Sequence, residues 1–217
     1  IKTEDSWHIL KVMSEMVEGF DTMAKIGPCV SIFGSARTKP EEKYYKLTEE
    51  IAFKISKLGF GVISGGGPGI MEAANKGAKE AGGKSVGLAI RLPFEDGGNE
   101  FIDHDKLLEF QFFFVRKLMF IKYAQGFIVM PGGVGTMDEF FEAMTLIQTK
   151  KIGRFPIVLV GKDFWSGLLD WIKETVLNTF GNISKEDLDL FTLVDTADEA
   201  VEAIDSYYKK YEISPNL

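Results

Sequence analysis

Apolar positions along this chain fall into short unbroken runs and longer stripes at the helical period, and the two kinds of segment alternate almost throughout. Ile9, Val12, Met13, Met16, Val17 and Phe20 form the first stripe, a predicted helix over residues 5–25 that stops ahead of Gly27-Pro28. Runs at 30–33, 60–64, 86–90, 127–130 and 157–160, with shorter ones at 107–110 and 192–194, are expected to be strands. The stripes between them predict helices over 41–58, 70–81, 114–124, 136–149, 164–179 and 197–208. Strands that are apolar on successive residues need cover on both faces, and their alternation with helices makes them parallel. The pattern therefore reads as an α/β fold, a doubly wound parallel sheet with helices on both faces, plus an extra N-terminal helix. Residues 1–27 form that helix, packed on the domain or on a partner, and 28–217 form a single domain. The stretch 92–105, with Pro93, Gly97 and Gly98, reads as an excursion over the surface.

Composition narrows the function. With 217 residues, 45% of them hydrophobic, the chain has material for one sizeable core rather than two domains. Its formal net charge is −7, and the acids are dispersed, so no nucleic-acid partner is expected, although a local basic pocket can still hold a small anion. Cys29 is the one cysteine, which excludes a disulfide framework, and with only His8 and His104 beside it a Cys/His zinc site is excluded too. A carboxylate-bound magnesium stays open. No run approaches the roughly 18 apolar residues of a membrane span, and no basic-then-apolar leader opens the sequence, so the expectation is a cytoplasmic protein without a membrane partner.

Three glycine-rich bends follow predicted strands, where parallel sheets bind their ligands. In Gly34-Ser35-Ala36-Arg37 the glycine lets the chain turn close to a ligand, Ser35 offers a hydroxyl as a candidate substrate contact, and Arg37 a cation, though a Gly-Ser turn also occurs without function. Gly65-Gly66-Gly67-Pro68-Gly69-Ile70-Met71-Glu72 departs from the G-x-G-x-x-G dinucleotide spacing at Ile70 and lacks the Lys-Ser/Thr of a P-loop. Something approaches that backbone closely, either a ligand or the Ala-rich helix behind it. Glu72 reads as an acid that complements that helix's dipole. The third bend, Pro131-Gly132-Gly133-Val134-Gly135-Thr136-Met137-Asp138-Glu139, joins an apolar strand to a helix and exposes backbone N–H groups at the positive end of the dipole, a phosphate site. Thr136 and Glu139 also fit a capping box, a purely structural role. Met137, Phe140, Phe141, Met144 and Ile147 are the expected buried stripe of that helix, leaving Glu139, Glu142 and Thr145 off it. Upstream, Phe112-Phe113-Phe114-Val115-Arg116-Lys117 supplies aromatics that are either core or a base-stacking surface, and a guanidinium able to balance a carboxylate and a bound phosphate.

Taken together, the Gly65–Ala73 bend, Arg116-Lys117 and the Pro131–Glu139 motif resemble the LOG (Lonely Guy) family of cytokinin-activating nucleotide phosphoribohydrolases, often labelled lysine decarboxylases. The resemblance runs from about residue 28 to the C-terminus, and the leading helix and the Gly-Pro-Gly-Ile-Met-Glu-Ala bend are similar to its larger bacterial branch. It implies a Rossmann-like fold, no cofactor, and a homodimer or higher homo-oligomer with active sites near the subunit interface. The implied substrate is a small-molecule nucleoside 5′-monophosphate, AMP or an N6-substituted cytokinin riboside monophosphate, split into free base and ribose 5-phosphate. By position, the resemblance makes Arg116 and Glu139 the catalytic pair. It gives nucleotide contacts to Lys117, Gly132, Gly133, Val134, Gly135, Thr136, Met137, Asp138 and Thr145, and a substrate-binding role to Glu95. Two competing readings remain: a carrier of the same fold that binds a nucleotide or cofactor without turning it over, and a pyridoxal-phosphate decarboxylase. The latter needs a Schiff-base lysine, and none stands at a glycine-rich strand end.

Overall fold

The computed structural model describes residues 3–91 and 97–213. Its strands are β1 (Cys29–Phe33), β2 (Gly61–Ser64), β3 (Ser85–Ile90), β4 (Leu107–Phe110), β5 (Ala124–Val129), β6 (Ile157–Val160) and β7 (Thr192–Val194). The helices are α1 (Thr3–Met23), α2 (Lys43–Lys57), α3 (Ile70–Glu80), α4 (Phe113–Tyr123), α5 (Val134–Gln148), α6 (Lys162–Trp171, prolonged by a π-helical stretch over Ile172–Thr179) and α7 (Ala197–Tyr208). All seven strands pair in parallel, in the order β4-β3-β2-β1-β5-β6-β7. The chain builds outward from β1 to β4, then crosses back to the far side of β1 and builds outward again from β5. Loops after β1 and β5 consequently leave the sheet in opposite directions and open a crevice between them. Two hydrogen bonds hold its lips together, Met130 N–H to the Phe33 carbonyl at 2.8 Å and Ser35 N–H to that of Pro131 at 3.0 Å.

Alternate residues of each strand serve different layers, which is why the strands read as unbroken apolar runs. On β1, Cys29 and Phe33 face the layer that includes Met119, Phe120, Phe140 and Trp165 from α4, α5 and α6, whereas Val30 and Ile32 face Ile51, Ile55, Ala74 and Ile204 from α2, α3 and α7. Helix α1 joins the first layer through Met23, with Val12, Met16 and Phe20 partly buried against it. No helix among the described residues is long and apolar enough to cross a membrane.

Many element ends differ from the pattern-based expectation by one to three residues, and two of the differences have a structural cause. Strand β5 starts at Ala124, three residues before the apolar run, because Gln125 and Gly126 form a bulge where the pairing with β1 slips between Cys29 and Ser31. Glycine lets α7 pack closely there: a Cβ on Gly126 would come within 2.7 Å of the end of the Ile204 side chain and 3.3 Å of the Pro156 carbonyl oxygen. Helix α5 starts at Val134 with Gly133 as its N-cap, so Thr136 already lies inside the helix and does not cap it. The capping box expected of Thr136 and Glu139 is therefore absent, while real ones form at Thr196/Glu199 and Ser184/Asp187.

The tightest helix contact outside the site is α2 on α3. A Cβ on Gly77 would collide with the Glu49 carbonyl oxygen and stand 3.0 Å from the Ala52 methyl. Gly77→Ala gains about 1 kcal/mol of helix propensity, but overpacking of this kind costs about 1–3 kcal/mol. The substitution should therefore lower the denaturant midpoint; an unchanged or raised midpoint would contradict the contact.

Candidate active site

The crevice at the ends of β1 and β5 is a cavity of about 830 Å³. Its wall unites all three glycine bends: Gly34 to Arg37, Gly65 and Gly67, and Pro131 to Thr136. Apolar surface comes from Phe33, Met71, Ile90, Phe113 and Phe120, and ionisable surface from Arg37, Glu42, Arg116, Asp138 and Glu139. Gly133 and Gly135 have open space where a Cβ would stand, while Gly132 is closed over by the Thr136 side chain. In α5 the first N–H with an acceptor inside its own turn is that of Met137, bonded to the Gly133 carbonyl at 3.1 Å. The N–H groups ahead of it have no partner of that kind and stand at the positive end of the helix, the arrangement that suits a phosphate.

Glu139 sits on the core side of α5. The buried positions are Thr136, Glu139, Phe140, Ala143 and Ile147, whereas Phe141 is 38% exposed and Met137 only partly covered. This corrects the stripe expected from hydrophobicity, which left Glu139 outside; α5 is apolar on several sides, so the apolar residues alone did not fix its rotation. Glu139 is 8% exposed, and its Oε2 has no hydrogen-bond partner. Burial pushes its carboxyl up to about 7 from an ordinary 4.5; Lys117 and Arg116 pull it down, and Glu142 and Asp138 push it further up.

Arg116 reaches the cavity along a fixed path. Its Nε donates to the Leu88 carbonyl at 2.7 Å, its Nη2 to that of Gly65 at 3.3 Å, and the guanidinium lies 5.2 Å from the centre of the Phe120 ring. A Cβ on Gly65 would collide with that Nη2, so the close approach that the second bend implied is made by Arg116 itself. Lys117 stands behind the cavity with its Nζ 2.7 Å from Asp138 Oδ2 and 2.6 Å from Glu142 Oε2. Burial lowers the ammonium pKa, but these two carboxylates outweigh it and hold it above the ordinary lysine value. Two acids beside a phosphate cradle would repel the anion, and Lys117 offsets that charge.

The residues expected from sequence divide into three groups. Ser35, Arg116, Gly132, Gly133, Val134, Gly135, Thr136, Asp138 and Glu139 line one cavity, with Ser35 Oγ accepting from Arg37 N–H at 3.1 Å and keeping its own proton to donate. Lys117, Met137 and Thr145 lie outside that lining; Thr145 is exposed and donates to the Phe141 carbonyl at 2.8 Å. Glu95 lies outside the described residues. Sequence reading passed over Asn75 and Asn99. Asn99 Nδ2 reaches the Gly66 and Gly67 carbonyls, each at 3.1 Å, and Asn75 Oδ1 at 2.9 Å, while fully buried Asn75 donates to Ser85 Oγ and the Val86 carbonyl. The pair fixes the second glycine bend, and its sole sequence signal is a polar residue at a core position of an Ala-rich helix.

Comparison with known proteins places this site in a family. The family described as "Possible lysine decarboxylase" matches residues 71–204, a span that includes Arg116 and Glu139. A cytokinin riboside 5′-monophosphate phosphoribohydrolase of Mycobacterium tuberculosis is 32% identical over 164 residues, 73% of this chain and 83% of its own. One of Mycobacterium marinum is 29% identical over 172 residues, 78% of this chain and 88% of its own. The rice phosphoribohydrolase LOG is 26% identical over 184 residues, 83% of this chain and 73% of its own. Among solved structures, the molybdenum cofactor carrier protein of Chlamydomonas reinhardtii has the same fold, with a TM-score of 0.61 at 21% identity over 85% of this chain and 99% of its own. The family match spans well over half of the chain and the relatives align along most of its length, so this protein belongs to the LOG family, the group that carries the lysine decarboxylase description.

Proposed function

We propose that this protein is a nucleotide phosphoribohydrolase that splits the N-glycosidic bond of a nucleoside 5′-monophosphate, AMP or an N6-substituted relative, into free base and ribose 5-phosphate. The observation that carries this reading is the unpartnered Glu139 Oε2, buried in the cavity wall within the field of Arg116 and Lys117 and at the base of the Gly133–Thr136 cradle. The names of the mycobacterial and rice relatives support the same reaction.

In this reading the cradle holds the phosphate and fixes the far end of the substrate, so that positioning lowers part of the barrier. The ring of Phe113 and the apolar surface of Met71 and Ile90 accept the base. As the bond from C1′ to the base nitrogen breaks, its electron pair leaves with the base and positive charge develops on the ribose, as in glycoside hydrolysis. The Glu139 carboxylate stabilises that cation and takes a proton from the water that adds to C1′. Arg116 donates hydrogen bonds toward the leaving base, and the proton that Glu139 took from water passes through solvent to the base nitrogen, so Glu139 is again ionised and the sum is water added across one bond. No lysine lines the cavity among the described residues, which leaves the decarboxylase label without a Schiff-base partner.

We also propose self-association. Trp7, Leu10, Met13 and Val17 leave one side of α1 apolar, 53–67% exposed, and Phe113 in the cavity lining and its neighbour Phe114 are similarly open. Light scattering on the purified protein should give at least twice the 24.2 kDa chain mass; a mass equal to one chain overturns this.

Purified protein incubated with AMP should release adenine and ribose 5-phosphate, whereas tight binding with no product would favour a carrier. Glu139→Gln should keep the fold and lower the rate by about 100-fold or more, and wild-type turnover in that variant would remove Glu139 from the chemistry. Because the ionised carboxylate is the active form, log kcat/KM should climb up to pH about 7, the value at which Glu139 titrates. That limb lies above the phosphate's own second ionisation near 6, and a flat profile between pH 6 and 8 would refute the assignment.

The same ionisation costs stability. The folded-state pKa is raised, so the native state binds this proton more tightly than the unfolded chain, and stability falls as pH rises from 4.5 through about 7. The upper bound is about 3 kcal/mol. Glu139→Gln should remove that slope and unfold at a higher denaturant concentration than wild type at pH 8; a variant less stable than wild type there would contradict the buried, unpartnered carboxyl.

A further inference from the structure

Helix α4, which carries Arg116 and Lys117, begins without a cap of its own. Phe112 at the N-cap has no side-chain oxygen, and no acid stands in the first turn. The missing acceptor comes from the N-terminal helix. Glu15 Oε1 accepts from Gln111 N–H at 2.8 Å and its Oε2 from Phe112 N–H at 3.4 Å, so a carboxylate from α1 sits at the positive end of α4. Two further contacts run along the pair. Gly19 leaves room for Met119, whose Cε would lie 2.8 Å from a Cβ at that position, and Tyr123 donates through its hydroxyl to the Phe20 carbonyl at 3.3 Å. Helix α1 thus grips α4 at its start, middle and end.

Arg116 is one turn beyond the Glu15 contact, and its own N–H bonds back to the Phe112 carbonyl at 3.2 Å. Whatever fixes Phe112 therefore fixes the root of Arg116. The side chain tolerates little slip, because its guanidinium runs through the space left by the absent Cβ of Gly65 and bonds the Leu88 and Gly65 carbonyls on the way. We propose that Glu15 is a positioning residue of this active site: its carboxylate sets the first turn of α4 and so holds the Arg116 guanidinium beside Glu139. The inference rests on the hydrolase reading for its kinetic consequence only; its geometric consequence, the field that Arg116 exerts on Glu139, is independent of any reaction.

The experiment pairs Glu15→Ala and Glu15→Gln in the full chain with two readouts. The first is steady-state hydrolysis of AMP. Displacing a catalytic group by a fraction of an ångström to one ångström lowers turnover by about 10- to 100-fold. The alanine variant is therefore expected to lose about 10-fold or more in kcat with KM for AMP within about twofold, since the cradle on α5 is untouched. The second is the titration midpoint of Glu139, followed by carbon-13 NMR of glutamate-labelled protein with the Glu139→Gln variant as the assignment control. Burial raises that midpoint most, and of the charged groups around the carboxyl Lys117 and Arg116 lower it while Glu142 and Asp138 raise it. A receding Arg116 moves it up. Glu15→Gln keeps one acceptor oxygen and should fall between wild type and alanine in both readouts, which also carries the test should the alanine variant fold poorly. An unchanged Glu139 midpoint in the variants overturns the proposal, whether or not kcat falls. Wild-type protein that releases no adenine from AMP fails the hydrolase reading instead, and the midpoint still decides the role of Glu15.

Discussion

Placing a carboxyl on the core-facing side of a helix is expensive, because the ionised group gives up hydration that the interior does not replace. Helix α5 does this with Glu139, one position away from fully buried Phe140. Two cations answer it from the neighbouring helix, and each is itself restrained. Arg116 is bonded to backbone carbonyls of two other segments, and Lys117 is shared between Asp138 and Glu142. The balance leaves the carboxyl neither firmly ionised nor firmly neutral near neutrality. A group poised there exchanges protons at little cost, the condition that acid–base chemistry requires.

The sheet decides where this can happen. Because the strand order reverses at β1, the loops after β1 and β5 part, and the start of α5 hangs over the gap between them. The second glycine bend arrives from β2 on one side and α4 closes the same side from above. The cavity therefore joins elements that lie far apart in sequence, and its ionisable groups come from α4, α5 and the loop after β1. Asn75 and Asn99 tie the glycine bend to the sheet through buried and half-buried hydrogen bonds, which brace the wall that Arg116 leans on.

Much of the architecture was legible in the sequence. The central strands are largely runs of apolar residues because both their faces are covered, and their alternation with helical stripes let the parallel sheet and its helices be read directly. The start of β5 was not readable, since Ala124, Gln125 and Gly126 have low strand preference and owe their place to the bulge and to close packing by α7. The glycine bends and the Arg-Lys pair marked the cavity through their chemistry. Which side of α5 faces inward was hidden, because Met137, Phe141 and Met144 carry as much apolar character as the residues that are buried. The spacing of Thr136 and Glu139 pointed equally to a helix cap, and only the position of the helix start, at Val134, separates the two. Glu15 gave no signal at all: an acid amid an amphipathic helix looks like solvated surface until the uncapped end of α4 comes to rest on it.

The space beside Gly65, filled by the Arg116 guanidinium and the Met71 sulfur, has an implication for how this sequence can vary. A methyl group there and the guanidinium of Arg116 claim the same space, so the two positions form a lock in which neither can drift alone. Alanine at 65 would evict the cation from its channel even though no charge had been touched, and a shorter side chain at 116 would leave a slot beside Met71 that only solvent or a larger residue could fill. Descendants of this chain that abandon the arginine shed one of two reasons to keep the glycine, the other being Met71, while those that keep it can gain a side chain at 65 only by moving both neighbours.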